Sequence, residues 1–143
     1  ISTGVLHETS TPEELLRIIG ELLRDNTKVY LNVPNAKSFH RIIGQEMGLI
    51  ESVFEKTERN IVLQQNNIFD KIVLKNLINK TLPEVEISEC ETFFIKPFTH
   101  DQMMDCIKYE IINKEIIEGL YRSSKVFPDN GCELYCVFSK KKQ

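Results

Sequence analysis

Apolar and polar positions change period several times along this chain, and the changes divide it into elements. Leu15, Ile18, Ile19, Leu22 and Leu23 recur at helical spacing, which predicts a helix with one buried stripe. Thr11 is placed to cap it, with Pro12 at the first position and Glu14 three residues past the cap. Asp25-Asn26 is expected to stop it, with Asn26 left-handed. In Lys28–Pro34 the period changes to two. Val29, Leu31 and Val33 fall on one face and Tyr30 and Asn32 on the other, a half-buried strand that Pro34 closes because it has no N–H to donate. Asn35 can cap a following helix that carries Phe39, Ile42, Ile43 and Met47.

The pattern weakens between Gly48 and Phe69, where Glu51–Arg59 fits helix or loop. Asp70 can cap a helix with Val73, Leu74, Leu77 and Ile78 inward, ended by Pro83. Val85–Ile95 reads as a long strand with a bulge near Cys90, closed by Pro97. Thr99 with Gln102 forms a second capping box before Met103, Met104 and Ile107. Asn113 opens a helix with Ile116, Ile117, Leu120 and Tyr121. Pro128-Asp129-Asn130-Gly131 is a turn, and Glu133–Ser139 is a last strand with Leu134, Cys136 and Phe138 on one face. Strand end, helix, strand, helix at the start of the chain is a parallel α/β pattern. Residues 98–127 form a helical insertion between the last two strands, placed like a cap over a site.

Composition narrows the reading. With 143 residues, 41% hydrophobic and 27% charged, the chain has the make-up of one ordinary globular domain. A net charge of -3 gives no reason to expect a nucleic-acid partner, and the Lys140-Lys141-Lys142 run is expected to be a solvated end. No apolar run reaches the roughly 18 residues that a membrane span needs. The four cysteines, Cys90, Cys106, Cys132 and Cys136, form no C-x-x-C pair and no histidine lies at ligand spacing from them. No metal site is expected, and the thiols are read as reduced, in a cytoplasmic protein. Ile1–Leu6 reads like the end of a strand already under way, as in a trimmed chain.

Val5-Leu6-His7-Glu8-Thr9-Ser10-Thr11-Pro12 and Val33-Pro34-Asn35-Ala36-Lys37-Ser38-Phe39-His40-Arg41, with their helix between, resemble the second half of a class I S-adenosylmethionine-dependent methyltransferase. Phe69–Ile78, Phe93-Phe94-Ile95-Lys96-Pro97-Phe98 and Glu133-Leu134-Tyr135-Cys136-Val137-Phe138 resemble its later helix and last two strands, so the resemblance covers essentially the whole chain. It implies the C-terminal half of a Rossmann-like methyltransferase sheet, parallel strands with an antiparallel last strand and helices packed on the sheet. None of the six glycines forms the glycine-rich turn that binds the cofactor in that family. His7-Glu8 also reverses the family's usual order, and Asp25-Asn26-Thr27 replaces its glycine pair.

The resemblance therefore implies part of a methyltransferase acting on a small-molecule acceptor, inactive without the N-terminal half. Either a homo-oligomer or a second chain would supply that half. Leu6 and His7 would lie beside S-adenosylmethionine, with His7 the candidate catalytic base. Asn35, His40 and Arg41 would face the acceptor, Arg41 against a carboxylate or phosphate. The bland alternatives are a packed His7, a capping Asn35 and a solvated helix face for His40 and Arg41. A non-catalytic binding or partner module is the competing function. A different Rossmann-like enzyme is a third, and it would require a parallel last strand.

Overall fold

The structure is a computed structural model, and residues 2–141 are described. Ile1 and Lys142, which belong to the expected leading strand and the lysine tail, lie outside that range. Along the chain come β1 (Ser2–Thr3), α1 (Pro12–Leu22), β2 (Lys28–Pro34), α2 (Phe39–Glu46), α3 (Glu58–Val62) and α4 (Lys71–Thr81). They are followed by β3 (Val85–Phe93), α5 (His100–Lys108), α6 (Lys114–Arg122), a short 3-10 turn (Ser123–Lys125) and β4 (Glu133–Lys140).

The described strands lie in the order β1-β2-β4-β3. β4 is antiparallel to β2 from Lys28↔Ser139 to Pro34↔Glu133, and antiparallel to β3 from Val85↔Lys140 to Phe93↔Glu133. This corrects the expectation of a Rossmann-like sheet held by parallel pairing. All three long strands are joined by antiparallel ladders, and among the described residues parallel pairing is limited to Ser2↔Leu31, Thr3↔Asn32 and the isolated bridge Asn35↔Phe69. The physical reason is the place of β4. It inserts between β2 and β3, so those two strands never exchange hydrogen bonds.

The period-two pattern decides which face is buried. Val29, Leu31 and Val33 of β2 and Leu134, Cys136 and Phe138 of β4 join Val85 and Cys90 of β3 in one core. Leu16 of α1 and Leu74 and Ile78 of α4 seal that face, each fully buried. The β3 register shifts between Ile87 and Glu89, so the bulge foreseen near Cys90 centres on Ser88.

Some local expectations change. Asp70, Thr99 and Asn113 each cap their helices through a side-chain oxygen, but Thr11 makes no such bond. α1 ends at Leu22, short of Asp25-Asn26, and Asn26 does not take a positive φ. Ser38, not Asn35, is the N-cap of α2. Cys90 and Cys136 are disulfide-bonded, which corrects the reading of four reduced thiols. They are direct register partners across β3 and β4, a juxtaposition that sequence spacing does not show. Cys106 and Cys132 are free.

Candidate functional site

Two chain segments leave the sheet on the same side, one after β1 and one after β2, because those strands run parallel. After β1 the backbone turns at Gly4 (φ +69°), and the N–H groups of Glu8 and Thr9 both donate to the Val5 carbonyl. The turn drives Leu6 and His7 inward, to 0% and 5% exposure. Leu6 joins the apolar core. The segment is fixed from outside by the loop before α4. The Asn67 N–H donates to the His7 carbonyl at 3.0 Å, and the Asn67 side-chain amide donates to the Thr9 carbonyl at 2.7 Å.

Nδ1 of His7 is buried without a hydrogen-bond partner. Its Nε2 lies 3.9 Å from the Glu8 carboxylate, beyond hydrogen-bonding range. Burial pushes the imidazole below the ordinary histidine value, and Glu8 opposes that shift. The ring is therefore neutral at pH 7, with a lone pair able to take a proton.

The segment after β2 is shaped by different contacts. Asn35 continues past the strand by bridging Phe69, and the Ala36 N–H donates to the Phe69 carbonyl at 2.7 Å. The Asn35 side-chain amide donates to the carbonyls of Asp129 (2.9 Å) and Gly131 (2.7 Å), while its oxygen accepts the Lys37 N–H at 3.1 Å. Every polar group of this side chain is engaged, the amide in holding the turn before β4 and the oxygen in its own turn. Three residues on, Ser38 is fully buried and its hydroxyl has no hydrogen-bond partner.

The Arg41 guanidinium is engaged too. Its Nε donates to the Val53 carbonyl at 2.8 Å, and Nη2 donates to the Glu55 carbonyl. It holds the 52–55 loop against α2. The His40 backbone N–H donates to the Lys96 carbonyl at 3.0 Å, and its Nδ1 is buried and unpartnered. Burial, with Lys96, Arg41 and Arg59 close by, lowers the His40 pKa to about 4.

So the structure brings Leu6 and His7 together, and separately places Asn35, His40 and Arg41 on the next connection. Two of the latter three, Asn35 and Arg41, carry structural bonds through their polar side-chain groups. Residues to which the sequence gives no site role lie at the neighbouring strand and helix ends. Glu133 is half-buried at the start of β4, and burial raises its carboxyl pKa against the opposing effects of a hydrogen bond from Asn32 and the Lys96 charge. Burial beside Glu133 pushes the Cys132 thiol up to about 11, so it is no nucleophile at neutral pH. Lys37 pairs with buried Asp70 at 2.9 Å. The only signal for these in the sequence is charge beside strand ends, which is common to most solvated loops.

Among the described residues no cluster of three or more His, Cys, Asp or Glu side chains could hold a metal ion, and no helix is long and apolar enough to cross a membrane. Compared with known proteins, the chain matches no family model and no curated protein.

Proposed function

We propose that this chain carries part of a methyl-transfer site that uses S-adenosylmethionine and a small-molecule acceptor. The observation that supports this reading most is His7. A neutral imidazole stands four residues past the end of β1, 5% exposed, with its Nδ1 lacking any hydrogen-bond partner. A buried unpartnered polar atom costs about 1–3 kcal/mol, a cost more readily understood if a ligand completes the site.

S-adenosylmethionine supplies an activated methyl group on sulfur, so the protein has only to align the acceptor, exclude water and remove a proton where the acceptor brings one. His7 is the group for proton removal. It is neutral, held by the backbone bond from Asn67, and screened from solvent. The glycine-rich turn that cradles this cofactor has no counterpart among the six glycines. On this reading the cofactor site is completed by a segment beyond these 143 residues, and the 143 residues alone hold the cofactor weakly. The engagement of Asn35 and Arg41 favours the second reading, a non-catalytic partner module of the same ancestry.

Titration with S-adenosylhomocysteine, followed through the ring resonances of the three histidines, tests the proposal. A saturable shift of His7 that leaves His100 still is expected. No shift of His7 up to the solubility limit of the compound overturns the role given to it.

A further inference from the structure

A concave site lies on the other side of the sheet from the apolar core. Phe93 of β3 and Tyr135 of β4 project from the same face, since Glu91 is the register partner of Tyr135 and Phe93 lies two residues on. Their ring centroids are 6.1 Å apart at 54°, so together they form a tilted aromatic floor. Tyr121 and Arg122 of α6, with Ser124 and Lys125 of the 3-10 turn, form the facing wall. α6 is held there by the Ile95 N–H, which donates to the Leu120 carbonyl at 3.1 Å. The cleft between floor and wall has a volume of about 650 Å³, within the range of small-molecule sites.

The charges around this cleft are unevenly matched. The Glu91 and Asp129 carboxylates are held by Lys71, at 2.8 and 3.0 Å. Glu89 accepts from the Tyr135 hydroxyl at 3.5 Å. Arg122 has one long contact with Glu118, at 3.5 Å, which leaves most of its guanidinium donors free. Lys125 forms no ion pair among the described residues. An aromatic floor thus meets a wall with spare cationic donors.

We propose that this cleft binds a small aromatic anion, a planar ring carrying a carboxylate or phosphate. The ring lies on Phe93 and Tyr135, and the anionic group takes hydrogen bonds from Arg122 and Lys125. The site stands apart from His7 and needs no S-adenosylmethionine, so its test is independent of the function proposed above.

Titration with 2-naphthoate, followed by the ring resonances of Phe93 and Tyr135, reads the site directly. A saturable shift is expected, with the uncharged 2-naphthamide bound about tenfold more weakly. The double substitution Arg122→Gln/Lys125→Gln changes only exposed side chains. With an unchanged melting temperature as control, it should abolish the preference for the acid over the amide. The proposal is overturned if naphthoate gives no saturable shift, if the amide binds as well as the acid, or if the double variant keeps the preference.

Discussion

Asn35 shows how a single side chain can hold two distant parts of a fold. Its amide reaches the carbonyls of Asp129 and Gly131, 94 and 96 residues away in the chain. Asn35→Ala leaves two carbonyls and one N–H without partners in a part-buried place, and should destabilise the protein by about 2–4 kcal/mol. The urea midpoint measures this, with Asn35→Asp worse still because a carboxylate would face carbonyl oxygens. Read from the sequence, Asn35 looks like a helix cap, because local competition for backbone N–H groups is all that spacing can express. The carbonyls that accept from its amide, those of Asp129 and Gly131, lie far off in the chain. His7 differs in that its burial follows from a turn only a few residues long, so its place after a strand end was legible. Its unpartnered Nδ1 was not, since that depends on everything packed around it.

Among the elements, the strands and caps whose signals are local were the legible ones. Val29, Leu31 and Val33 are inside because β2 alternates, and Asp70, Thr99 and Asn113 cap because their side chains need reach only three residues. α1 starts at Pro12 behind Thr11 as its sequence signal places it, without the cap bond, but departs from that signal at its end. Leu23, 4% exposed, turns into the core and ends the helix before any residue suited to stop it. The turn into β4 depends on close backbone approach. A Cβ on Gly131 would lie 2.5 Å from the Phe93 nitrogen, and backbone cannot yield there as a flexible side chain could. Gly131→Ala should cost about 3 kcal/mol, seen as a lower melting temperature. Gly119→Ala, where a Cβ meets nothing within 4 Å, is the matched control and should be neutral or slightly stabilising. β3 and β4 are also joined covalently. Reducing the Cys90–Cys136 bond, which links residues 46 apart, should lower stability by up to about 4 kcal/mol. The same drop is expected in a Cys106→Ala/Cys132→Ala variant, and a urea midpoint indifferent to reductant would show that these thiols are not paired.

For the molecule as a whole, stability should depend on pH in a way that two histidines set. The ordinary value of His40 is 6.5 and its folded value is about 4, while His7 is shifted in the same direction. A depressed folded pKa means that the unfolded chain binds protons first. The stability linked to these groups is therefore complete above about pH 6.5 and is lost as pH falls toward 4. Thermal melts between pH 7 and pH 4 should show a falling midpoint, and His40→Gln should flatten most of that fall. The lysine-bound Asp70, also depressed, contributes only at still lower pH. The pairing of strands is the part of the fold that periodicity could not reach. Alternation marks which residues of a strand face inward, but not which strand lies beside it. A last strand inserted between two others leaves the same apolar pattern as one added at an edge.

That insertion carries a consequence for how the protein is made. Of the described strands β4 is the last to be synthesised, yet it occupies an interior place in the sheet. Until residues 133–140 emerge, β2 and β3 each present a row of unsatisfied N–H and carbonyl groups, and the apolar side chains beneath them stay open to water. Between the synthesis of β3 and that of β4, then, this segment is a nascent polypeptide with two sticky borders and no means of closing them. The quality of residues 133–140 decides whether those two borders are closed or held open for chaperones.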